Sequence, residues 1–124
     1  MNEEMIGLSH RVVACKNWRW LPGMRCLPTE GMVTVPLRLT DDLNWPHDLG
    51  LRLPDISDPA TLGCLLALVR EAWVDPTAST AATREANGGR GWVMDCWDPK
   101  SPLNGIGPFQ SEAEALVFAL EAAP

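Results

Sequence analysis

The sequence predicts an α+β fold in which two hairpins form a small antiparallel sheet and helices pack on it, in the order αββ-αββα. Three observations predict it. Residues 59–73 and 112–120 carry apolar side chains at helical spacing behind capping residues. Residues 32–39 and 92–97 alternate with the period of two that belongs to strands. Between these stretches Pro, Gly, Asn and Asp cluster where turns need them, and helices segregated from hairpins pack as an α+β sandwich. With 124 residues, 46% of them apolar and 21% charged, residues 1–124 read as a single domain able to bury a core without disulfide or metal.

The first helix is expected over residues 9–17, with Ser9 as N-cap and Val12 and Val13 facing inward, before Pro22-Gly23 breaks the pattern. A hairpin follows: residues 24–27, a turn at Pro28-Thr29-Glu30-Gly31, and residues 32–39, where Val33, Val35, Leu37 and Leu39 share one face. Pro36 cannot donate to a ladder, so this strand belongs at an edge or ends there. Residues 41–57 have loop composition and form the natural hinge between two halves. Asp58 as N-cap and Pro59 at the first helical position then open a helix that runs to about Trp73. Its apolar residues lie nearly all round, so it demands cover on two sides, and a homodimer or higher oligomer would supply the second. Residues 75–91 read as a mobile connection. Trp92, Met94 and Cys96 share one face of the next strand and Val93, Asp95 and Trp97 the other, with a short return strand at residues 106–109. Ser111 and Glu114 form a capping box for the last helix, whose Ala113, Leu116, Val117 and Leu120 face the core.

Net charge is −6, distributed unevenly. Residues 1–38 hold five basic and three acidic side chains, and the remainder five basic and thirteen acidic. An acidic chain with one basic stretch argues against general nucleic-acid binding, which depends on many phosphate contacts. No apolar run is long enough to span a membrane, and the start, Met1-Asn2-Glu3-Glu4, is acidic where a signal peptide would be basic. The expected setting is the cytoplasm.

Chemistry-bearing constellations are sparse. Cys15, Cys26, Cys64 and Cys96 stand far apart with no C-x-x-C pair, and only His10 and His47 could join them, so neither a metal site nor a catalytic thiol is expected. All four thiols read as reduced. Asp41, Asp42, Asp48, Asp55 and Asp58 lack the spacing of a Ca²⁺ loop and serve turns and caps. Asn87-Gly88-Gly89-Arg90-Gly91 would suit a phosphate-cradling loop, but the expected strand before it and helix after it are missing. No catalytic residue, cofactor or metal is assigned, and the protein reads as a non-enzyme.

One stretch stands out. Arg11, Lys16, Trp18, Arg19, Trp20 and Arg25 bring cations and indole rings together beside a Pro-Gly turn, and they are the candidate binding residues. The competing reading places Trp18 and Trp20 in the core.

Ala14-Cys15-Lys16-Asn17-Trp18-Arg19-Trp20-Leu21-Pro22-Gly23-Met24, together with Leu53-Pro54-Asp55, Asp58-Pro59-Ala60-Thr61-Leu62-Gly63-Cys64-Leu65-Leu66 and Glu112-Ala113-Glu114-Ala115-Leu116, resembles a family of small uncharacterised bacteriophage and prophage proteins. The second half is similar in pattern to the phage alpha-beta-alpha sandwich domain. The resemblance implies a phage-encoded protein acting inside a bacterial cell and implies no catalytic residues. Three functions fit: a binding protein that engages a host or phage protein, including one that neutralises a bacterial defence factor; an oligomeric sponge for a small anionic, cyclic-nucleotide-like signal; and a minor virion or assembly component.

Overall fold

The computed structural model describes residues 3–27, 37–41, 45, 49–84 and 89–124. The described elements are α1 (Glu3–Val13), β1 (Arg25–Cys26), β2 (Leu37–Arg38), a 3-10 turn (Leu49–Leu51), α2 (Pro59–Trp73), β3 (Ser79–Arg84), β4 (Arg90–Asp95) and α3 (Glu112–Glu121). Two antiparallel two-stranded sheets with three helices make the fold α+β, as the sequence predicts.

The first helix starts six residues earlier than expected, and Ser9 is no cap. Glu3 and Glu4 occupy its first turn, where acidic side chains favour the positive end of the helix dipole. Ser9 is buried in the helix interior, its Oγ 3.0 Å from the Met5 carbonyl and 2.9 Å from the Pro54 carbonyl. A hydroxyl with one proton serves these two acceptors in turn, so a residue that looked like a start signal ties α1 to the segment before α2.

β1 and β2 pair with Arg25 opposite Arg38 and Cys26 opposite Leu37. The other side of β1 is also occupied: Leu27 N donates to Leu53 O and Asp55 N to Arg25 O, each at 2.8 Å. The end of the 41–57 stretch therefore lies beside β1 like a third strand. Leu39 is buried while Leu37 is exposed, so the expected common face does not hold at these two positions. The turn at 28–31 and the strand positions 32–36, Pro36 included, lie outside the described residues.

α2 is built as its sequence indicates. Asp58 Oδ2 accepts from the Thr61 backbone N–H at 3.0 Å and from the Thr61 hydroxyl at 2.9 Å, and Pro59 opens the helix. Thr61, Leu65, Leu68 and Val69 are buried; Leu68 is 1% exposed within the single chain. The exposed positions are Pro59, Ala60, Gly63, Ala67 and Glu71, which offer little apolar area to water. One chain thus covers the helix, and the packing argument for self-association lapses.

The 75–91 connection contains a strand that the sequence reading missed. β3 pairs with β4 over six positions from Ser79 opposite Asp95 to Arg84 opposite Arg90. β3 carries only Ser, Thr, Ala and Arg, so it lacks the bulky apolar alternation that marks a strand, and its partner supplies the reason to extend. The return segment at 106–109 pairs with the other side of β4 as expected: Trp92 N donates to Phe109 O at 2.8 Å, Phe109 N to Trp92 O at 2.7 Å and Met94 N to Ile106 O at 2.9 Å. This approach is close. A Cβ on Gly91 would sit 2.9 Å from Pro108 Cβ, and one on Gly107 would sit 2.8 Å from the Trp92 carbonyl oxygen.

α3 is the centre of the fold and packs against α1, α2, β3 and β4. Ser111 Oγ caps it by accepting from Glu114 N at 3.1 Å, and Ala113, Leu116, Val117 and Leu120 are buried as expected. Trp73 Nε1 donates to the Ala119 carbonyl at 2.7 Å and fastens α2 to α3. None of the four cysteines is joined in a disulfide. Among the described residues, no helix is long and apolar enough to cross a membrane.

Candidate functional site

Behind α1 the chain turns through residues 14–18, with Trp18 N donating to Cys15 O at 3.0 Å. That turn sets Trp18 and Trp20 edge to face, ring centroids 5.3 Å apart and planes at 74°. Both rings are half-buried and pack on the core, yet both also line a groove of about 1120 Å³. The same rings therefore pack on the core and line the groove. One wall of the groove is the outer face of α1, with Ile6, His10 and Val13; the other is the run 49–53, with Trp45 and Leu27 beside it. Trp45 is held by its Nε1, which donates to the Thr40 carbonyl at 2.9 Å. Ile6 is 38% exposed and Leu51 79%. Among the described residues the lining holds His10, Arg19 and Arg52 and no carboxylate.

The six residues singled out from sequence do not form one site. Trp18, Arg19 and Trp20 come together on the groove, and Lys16 is exposed beside it, lining a separate pocket of about 320 Å³ with Asn17, Arg19 and Glu71. Arg11 reaches Glu121 at the end of α3, with Nε 3.1 Å from Oε2. Arg25 places its side chain 3.8 Å from the Asp55 carboxylate and donates its backbone N–H to Thr61 Oγ1 at 2.9 Å. Even Arg19 is engaged: both terminal nitrogens meet the Glu71 carboxylate at 2.7 Å. This two-point hydrogen bonding raises the Arg19 pKa and lowers that of Glu71. The basic stretch is therefore largely neutralised in the folded chain.

Sequence reasoning missed Ile6, His10, Trp45 and the wall at Leu49, Leu51 and Leu53. A signal was present, since these three leucines alternate inside a stretch otherwise composed for loops.

The thiols carry no sign of activation. Burial pushes Cys15, Cys64 and Cys96 above the ordinary thiol range, the opposite of what a nucleophile needs. Cys15 Sγ lies 3.5 Å from the Arg11 carbonyl and Cys64 Sγ 3.4 Å from the Pro22 carbonyl. Among the described residues, no group of three His, Cys, Asp or Glu side chains could hold a metal ion. His47, Asp42 and Asp48 lie outside the described residues. Compared with family models, with curated proteins and with solved structures, the chain matches none.

Proposed function

We propose that the protein is a non-enzymatic binding protein whose groove beside Trp18 and Trp20 takes an apolar segment of a protein partner. The carrying observation is that Ile6 and Leu51 stand exposed on opposite walls of a groove that three indole rings line. Covering a large aliphatic side chain is worth ~1.5–3 kcal/mol, and tryptophan and arginine around an apolar centre are what interface hot spots use. The resemblance to bacteriophage proteins supports a bacterial cell as the setting and a defence factor as one kind of partner.

The test compares affinity capture from a bacterial extract by the natural protein, by Leu51→Glu and by Arg11→Ala. Leu51 is exposed, so Leu51→Glu should leave folding intact while abolishing capture of a specific protein, and Arg11→Ala should capture it normally. Capture that is the same with all three proteins would sink the reading. A small anionic molecule released on denaturing the purified protein, with no protein retained, would favour the sponge instead.

A further inference from the structure

Most of the described arginines are engaged with the rest of the chain, Arg52 among them. Arg11, Arg19, Arg25 and Arg38 each face a carboxylate, and Arg70 Nε donates to the Ala78 carbonyl at 2.7 Å. Arg84 and Arg90 differ: both are exposed, and neither side chain makes an ion pair or hydrogen bond among the described residues. They are also directly opposite each other in the β3–β4 ladder. Like charges at opposed positions repel, and no described carboxylate offsets these two.

The ladder places a third group with them. Ala82 is opposite Trp92, two positions along from Arg84 opposite Arg90, so the period of two puts all four side chains on one face of the hairpin. Further along that face Met94 is buried and Thr80 Oγ1 donates to Glu112 at the start of α3 at 2.8 Å. Towards Arg84 and Arg90 the face is open, because Ala82 has only a methyl group to set against the indole of Trp92. A cavity of about 550 Å³ lies there, lined by Arg84, Arg90, Trp92, Ala82, Thr83 and Gly91.

The geometry points to a second binding site at this end of the β3–β4 hairpin, one that takes a phosphate monoester carrying a planar base, with Arg84 and Arg90 on the phosphate and Trp92 against the base. Guanidinium forks match phosphate oxygens two at a time. An anion between the two arginines turns their mutual repulsion into attraction. The indole offers a stacking surface that tolerates any base, and the volume is in the range of small-ligand pockets. This site does not depend on the groove beside Trp18 and Trp20.

Calorimetric titration with adenosine 5′-monophosphate and with inorganic phosphate, at fixed ionic strength because exposed charges are screened, tests the site. Saturable binding of the nucleotide is expected, at least about ten-fold tighter than phosphate through stacking. R84Q/R90Q should lose at least about ten-fold in nucleotide affinity, with a melting temperature equal to or above that of the natural protein because the opposed charges are gone. R84K/R90K keeps both charges and tests the fork geometry separately, with weaker binding expected. No saturable nucleotide binding, affinity unchanged in either double variant, or phosphate bound as tightly as the nucleotide would each overturn the assignment.

Discussion

The two hairpins of this protein use arginine in opposite ways. Around β1 and β2, Arg25 and Arg38 are also opposite each other, but Arg38 forms a two-point bond with Asp58 at 2.8 and 2.9 Å, donates to the Gly23 carbonyl, and Arg25 lies near Asp55. There the opposed charges tie a two-pair ribbon to the start of α2. In the longer β3–β4 hairpin the opposed Arg84 and Arg90 have no such carboxylates among the described residues. A basic stretch in sequence therefore says little about available cations, since what matters is where the folded chain brings its acids. The half of the chain that looked basic has its arginines engaged, and the acidic half presents two that meet no carboxylate among the described residues.

If the second half is held by apolar burial around α3, the largest effect should come from its core. Leu116→Ala is expected to cost about 2–5 kcal/mol in urea unfolding, because Leu116 is fully buried at the centre of the fold. A cost under about 1 kcal/mol would mean that α3 does not anchor the hairpin as described.

The polar ties of the first half should show a smaller effect that depends on pH. Hydrogen bonding to Arg38, helped by Thr61, holds the Asp58 carboxyl well below its ordinary range. The unfolded chain therefore takes up this proton first. The stabilisation is complete above the ordinary carboxylate pKa of about 4 and fades as pH falls below it. Asp58→Asn, which keeps a capping side chain, should lose part of that acid dependence, and Asp58→Ala should cost about 0.5–2 kcal/mol at neutral pH. An unchanged acid limb in Asp58→Asn would show that the Arg38 pair contributes nothing.

The smallest effect is expected at Arg19. Its bond to Glu71 is well formed, but both side chains are more than half exposed, and such pairs are screened by water. Arg19→Ala should shift the melting temperature by less than about 2 °C. A larger drop would make this pair a structural tie like the one at Asp58.

The parts of the fold legible in the sequence are those whose signals are local. Asp58-Pro59 and the Ser111, Glu114 pair mark helix starts within four residues, and the structure caps α2 with Asp58 and α3 with Ser111. Signals that act over distance were misread. Ser9 has a cap residue's chemistry, but its second acceptor is 45 residues away at Pro54. β3 extends because β4 lies beside it, and nothing in Ser79-Thr80-Ala81-Ala82-Thr83-Arg84 announces that. The candidate site divides the same way. Two neighbouring tryptophans could be found by eye, whereas Glu71 is 52 residues from Arg19 and Glu121 is 110 residues from Arg11. The leucine wall across the groove becomes a wall only when residues 53–55 lie beside β1.

Gly91 and Gly107 have a consequence for how copies of this protein meet. Their missing side chains let the return segment lie at backbone distance from β4, bonded at Trp92 and Met94. Neither the Pro108 ring nor the Trp92 carbonyl can rotate away from an added carbon, so even alanine at either glycine would lever the segment off. β4 would then present a row of unpaired donors and acceptors, which is a template on which another chain can add a strand. Two hydrogen atoms in place of two methyl groups thus keep this edge of β4 covered.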